Sequence, residues 1–102
     1  MLAQDKLSRN DGSKDHRAAL GAWLRDLREA QGMSQKQLAS VLELDYYTFI
    51  SQLENGRGKI PSSRYVDWAK ALGQEPQDFV RELLRHYDPI TYAILFPADG
   101  AQ

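Results

Sequence analysis

The chain has no cysteine and only two histidines, His16 and His86, which are isolated from one another in sequence. Disulfides and thiolate metal sites are therefore excluded, and no histidine spacing suggests a ligand set. No apolar run approaches the roughly 20 residues that a membrane span requires. The first fifteen residues, MLAQDKLSRNDGSKD, lack the apolar centre of a signal peptide. Paired carboxylates beside a histidine and a Gly-rich phosphate loop are also missing, which leaves no support for an enzyme. Excess charge is absent too. Thirteen Lys and Arg stand against fourteen Asp and Glu, a formal net charge of −1, so any affinity for nucleic acid must come from local rather than overall charge. Together these absences lead us to expect a cytoplasmic protein with no cofactor, no metal and no membrane contact.

What is present is a sufficient core. With 42% hydrophobic residues in 102, one domain can fold without staples. The apolar positions recur at helical spacing and no alternating strand pair is visible, so the expected fold is an all-α bundle of five helices with a short extra helical segment at its C-terminus. The first helix should run from about Arg17 to Gln31, with Leu20, Trp23, Leu24 and Leu27 inward and Gly32 as its stop. The fourth should span Ser62 to Leu72 around Tyr65, Trp68, Ala69 and Leu72, stopping at Gly73. The fifth opens at Pro76 and continues to about Tyr87 through Phe79, Val80, Leu83 and Leu84. Residues 1–14, without periodicity, are expected as a flexible tail in which Lys6, Arg9 and Lys14 could form an arm. Residues 15–96 form the domain and 97–102 a second tail.

The centre of the chain, SQKQLASVLELDYYTFISQLENG over residues 34–56, is the most informative stretch. Ser34 and Gln37 make a capping box for a helix through Leu38, Ala39 and Leu42. A further helix, expected to start at Asp45, places Tyr46, Phe49, Ile50 and Leu53 on one face and stops at Gly56. Only Glu43 and Leu44 would separate the two, and helices joined so tightly must cross steeply, as in a helix-turn-helix unit. The outer face of the second helix presents Thr48, Ser51 and Asn55, with Tyr47 and Gln52 at its edges. It carries no Lys and no Glu. Hydroxyls, amides and an aromatic ring can meet base edges in a DNA groove, where a merely solvated face would be built from long charged side chains.

These features resemble the lambda-repressor-like DNA-binding domains, the Cro/cI or xenobiotic-response-element type. Arg28, Gly32, Ser34, Gln35, Leu38, Ala39, Leu42, the run Ile50-Ser51-Gln52-Leu53-Glu54-Asn55-Gly56 and Leu72-Gly73 carry the resemblance across residues 17–85. Two departures stand out. The chain is one residue longer between Leu38-Ala39 and Ile50, and Glu43 occupies the turn position where the family commonly has Gly. The resemblance implies a partly buried Arg28–Glu54 ion pair and a phosphate contact by Gln35. It also implies a sequence-specific transcriptional regulator of bacterial or phage type, more readily a repressor than an activator, bound to double-stranded DNA. Gln52 is the foremost base-reading candidate, followed by Thr48, Ser51, Tyr47 and Tyr46. Gln35, Lys36, Asn55, Arg57, Lys59 and Arg64 are the candidates for contacts to the backbone phosphates. The last three belong to GRGKIPSSR, an acid-free stretch just after the reading helix.

The segment DPITYAILFP restarts a helical turn at Asp88-Pro89 and is apolar nearly all round. A homodimer formed through residues 76–96, with Leu84, Tyr87, Ile90, Tyr92, Ile94, Leu95 and Phe96 at its interface, would cover that surface. It would also set two reading helices one DNA turn apart, facing an inverted repeat. The competing reading is a protein-binding module, an antitoxin or anti-activator on the same scaffold, whose apolar tail grips a protein partner.

Overall fold

The computed structural model describes residues 2–100, with side chains described for residues 16–98. All regular structure among them is helical. α1 (Leu2–Ala30) leads to α2 (Gln35–Val41) and α3 (Thr48–Glu54). A 3-10 turn (Ser62–Arg64) then runs directly into α4 (Tyr65–Ala71), followed by α5 (Pro76–Tyr87), α6 (Pro89–Leu95) and the single turn α7 (Pro97–Gly100). None of the helices is long and apolar enough to cross a membrane.

α1 starts at Leu2, not near Arg17. No proline interrupts residues 2–30, and extending an anchored helix adds one hydrogen bond per residue without a new nucleus, so a polar, aperiodic stretch can follow the helical path. The side chains of Lys6, Arg9 and Lys14 lie outside the described residues. At its other end α1 closes on Gly32, whose φ of +71° lets Gly32 N–H reach the Glu29 carbonyl and Met33 N–H reach that of Arg28. Part of the expected C-terminal tail is likewise helical, as α7.

The core is built where the helices cross. Leu20 and Leu24 of α1, Leu38, Ala39 and Leu42 from α2 and its cap, and Ile50 and Leu53 of α3 meet Trp68, Ala69 and Leu72. Phe79 and Leu83 of α5 complete it, with Trp23 stacked on Phe79 at 5.5 Å between ring centroids and Phe49 edge-on to Trp68 at 6.4 Å. The buried stripe of α5 is Phe79, Leu83 and His86. Val80 and Leu84, expected inward, are only half-buried and line a groove of about 530 Å³ shared with Leu95 and Phe96. Ile60 was not expected in the core, yet it is 2% exposed and fastens the loop after α3 to the bundle.

α1 crosses the end of α3 at Gly21. A Cβ there would lie 2.5 Å from the Glu54 carbonyl oxygen and 2.7 Å from that of Leu53. Only glycine allows the two backbones so close.

Candidate nucleic-acid interface

The α2–α3 junction departs from the two-residue connection expected from the sequence. The capping box of α2 is formed, with Gln37 N–H donating to Ser34 Oγ at 3.1 Å and Ser34 N–H to Gln37 Oε1 at 2.7 Å. α3, however, begins at Thr48 and not at Asp45, so residues 42–47 connect the two helices. Glu43 takes φ +59°, the left-handed conformation in which the family's usual glycine would rest without strain. The chain then needs the extra residue to return to the α3 axis. Leu44 fills the gap by packing against the core. Tyr46, placed on the inner face by its spacing, is instead 75% exposed, because it lies before the helix and escapes its periodicity.

α3 is turned by burial on one side. Ile50 and Leu53 are buried and Phe49 half-buried, so Thr48, Gln52 and Asn55 form an exposed row at i, i+4, i+7 with half-buried Ser51 beside it. Tyr47 extends that surface at the start of the helix, with Lys36 Nζ 5.7 Å from its ring centroid. The Asn55 amide donates back to the Ser51 carbonyl at 2.9 Å. Gly56, at φ +84°, ends the helix, and Arg57 N–H returns to the Gln52 carbonyl at 2.8 Å. The Arg57 side chain is exposed next to the row.

The only acid on α3 is drawn away from this face. Glu54 receives Arg28 Nε at 2.7 Å and Arg28 Nη2 at 3.0 Å, a two-pronged pair whose side chains are 10% and 6% exposed. Arg28 Nη1 also donates to the Met33 carbonyl at 2.7 Å, and Gln35 Nε2 donates to Glu54 Oε1 at 3.0 Å. One carboxylate thus ties α1, α2 and α3 together. The hydrogen bonds that Arg28 donates to Glu54 raise the Arg28 pKa above its ordinary value, against the opposing effect of burial. Gln35 is therefore held by Glu54, with its second amide hydrogen left for an outside acceptor.

One of the cations expected at the interface is turned elsewhere. The Arg64 guanidinium donates to the Leu42 carbonyl and pairs with Asp67 at 3.3 Å. It closes the C-terminal end of α2, where an unpaired carbonyl needs a donor, so it is not an outward contact. Lys59 Nζ lies 5.3 Å from the Tyr87 ring centroid, at the edge of the basic loop. Gly21, Ile60 and Tyr87 hold this surface in place and were missed as such in the sequence. A glycine within a helical run was the one available signal for the first.

Residues 19–88 match the family model of the helix-turn-helix domain. The chain belongs to the helix-turn-helix domain family. Among solved structures it is similar to the clp gene regulator ClgR from Corynebacterium glutamicum, with a TM-score of 0.56 and 27% identity over 84% of this chain and 85% of that one. No curated protein matches it. Within the helix-turn-helix frame α2 and α3 are the two helices of the motif, and the row Thr48, Gln52 and Asn55 lies on the exposed side of the second.

The C-terminal residues expected at a dimer interface divide into two groups. Tyr92 is buried, its ring 5.2 Å from that of Phe96, and Arg81 lies over Phe96 at 4.4 Å. Tyr87 accepts a hydrogen bond from Ile60 N–H at 3.0 Å. These aromatic residues pack within the chain, because α6 folds back along α5. Ile90 and Ile94 are 75% and 72% exposed, Leu95 is also exposed, and Leu84 lines the neighbouring groove.

Proposed function

We propose that the chain is a sequence-specific DNA-binding regulator of transcription, acting in the cytoplasm without a cofactor, as a dimeric repressor on an inverted repeat. The observation that carries this reading is the uncharged row of Thr48, Gln52 and Asn55 on a helix whose only acid is withdrawn into a buried pair. Gln52 can pair with adenine through both ends of its amide, and Ser51, Thr48, Tyr47 and Tyr46 flank it toward thymine methyls or phosphates. Asn55 within the row, with Gln35, Lys36, Arg57 and Lys59, supplies the backbone contacts, and the three cations the salt dependence. Exposed Ile90, Ile94 and Leu95 support pairing through α5 and α6, which would bring two recognition helices about 34 Å apart on one DNA face.

The test is footprinting of the purified protein on the region upstream of its own gene at two salt concentrations, with its mass measured in parallel. Protection of an inverted repeat by a dimer, weakened by salt, is expected. Gln52→Ala should then relax sequence preference, while Arg57→Ala weakens binding to all sequences alike. Aspartate at Ile90 and Ile94 should give a monomer. The exposed apolar face of α6 also favours a second reading, a module that grips a protein partner. Lack of protection at low salt together with a monomeric mass would turn the assignment toward it.

A further inference from the structure

Three side-chain interactions converge on the loop after the recognition helix, and two of them come from Tyr87, the last residue of α5. Ile60 N–H donates to the Tyr87 hydroxyl oxygen at 3.0 Å. The Tyr87 ring has Lys59 Nζ at 5.3 Å and the Arg17 guanidinium carbon at 5.6 Å from its centroid. Arg17 in turn donates from Nη1 to the Gly58 carbonyl at 3.1 Å. Gly58, Lys59 and Ile60 are thus each held, and Arg57 is fixed at its N–H by the Gln52 carbonyl. A surface loop with two glycines would otherwise sample many conformations, and a free lysine many rotamers.

We propose that Tyr87 is a positioning residue for DNA binding, setting the backbone of residues 57–60 so that Arg57 and Lys59 meet phosphates beside the groove that α3 reads. The inference rests on the DNA-binding function proposed above and adds to it a residue from α5, an element with no place in the reading surface itself. Tyr87 is half-buried, so it acts through the loop and does not itself contact DNA. Its phenyl ring can fill the same space as phenylalanine, whereas its hydroxyl serves only the loop. This separates positioning from packing.

The decisive experiment compares wild-type protein with Tyr87→Phe in titrations of two labelled duplexes, the footprinted upstream fragment and a random-sequence fragment, across a range of salt. The expected result is binding about tenfold weaker to both duplexes, an unchanged preference between them, and a salt slope shallower by about one. In an Arg57→Gln, Lys59→Gln background the same substitution should cause no further loss. Equal binding by wild type and Tyr87→Phe would overturn the proposal, as would a loss that persists undiminished without the loop cations. If Tyr87→Phe does not fold, Arg17→Ala loosens the same loop at Gly58 and is judged by the same outcomes. Wild-type protein that binds neither duplex overturns the DNA-binding reading, and this inference with it.

Discussion

The junction between α2 and α3 and the junction between α4 and α5 end a helix in the same way and begin the next one differently. After α2, Leu44 N–H reaches back to the Ala39 carbonyl at 2.9 Å, and after α4, Gln74 N–H reaches the Ala69 carbonyl at 2.8 Å. The left-handed residue is Gly73 at φ +69° in one case and Glu43 at φ +59° in the other. α5 then starts with Pro76 as its first residue and Glu75 accepting the Gln77 N–H, while α3 starts at Thr48 with Tyr47 before it offering no side-chain cap. The second junction follows local rules. The first is held in shape by what surrounds it, the core behind Leu44 and the Arg64 guanidinium on the Leu42 carbonyl, while the far ends of its two helices are tied by the carboxylate of Glu54 and the backbone of α1 at Gly21. Where a protein presents a surface to a partner, local conformational preference can yield to tertiary constraint.

That contrast can be broken first at its strongest tertiary tie. Glu54→Ala leaves Arg28 buried without its partner and should destabilise by about 3 kcal/mol or more in denaturant unfolding, well beyond any local change at the junction. Gly21→Ala should follow at about 2–3 kcal/mol, since its Cβ meets carbonyl groups that cannot swing aside; an unchanged melting temperature would mean that α1 and α3 shift apart without cost. The two turns can then be compared directly. Gly73→Ala should cost about 1 kcal/mol, while Glu43→Gly should gain about 0.5–1 kcal/mol as the left-handed strain is relieved and part of the gain is lost to the freer unfolded chain. Equal and opposite shifts in melting temperature would identify the turn residue as the whole difference between the junctions.

The smallest effect concerns α6. Thr91 donates to Asp88 from its side chain at 2.6 Å and from its backbone at 3.1 Å, and these bonds lower the Asp88 pKa below its ordinary value. Because the folded value lies below the unfolded one, the contribution of this cap is present at neutral pH and is lost as pH falls through the folded value. Asp88→Asn should flatten the acid end of a helicity titration, because the group whose protonation weakens the cap is gone.

The elements written in caps and stops were legible in advance. Ser34 with Gln37, Gly32, Gly56, Gly73, Pro76 and Asp88-Pro89 each mark a boundary by side-chain or backbone chemistry that acts over three or four residues. The burial of Ile50 and Leu53 followed from spacing alone, and with it the outward placing of Thr48 and Asn55; Gln52, expected at the edge, completes the exposed row, and Ser51, expected at its centre, is half-buried. The start of α3 did not follow, because Tyr46 fits the apolar spacing as well as Phe49 does, and only the six-residue connection decides between them. Gly21 and Ile60 depend on which elements meet in space, a relation that periodicity within a single helix does not contain. The length of α1 was hidden for the opposite reason: its first half needs no apolar pattern once the second half is anchored.

In the DNA-reading role proposed for it, α3 has seven residues, which sets a bound on how much sequence it can specify. At 1.5 Å per residue it is about 10 Å long, and at 3.4 Å per base pair that length faces about three pairs. Three pairs distinguish one site in about 64, and two copies on an inverted repeat one in about 4,000. In a genome of millions of base pairs such a word recurs many times, so under the proposed function a single address requires further discrimination from the deformability of the flanking duplex and from the aromatic pair Tyr46-Tyr47 ahead of the helix.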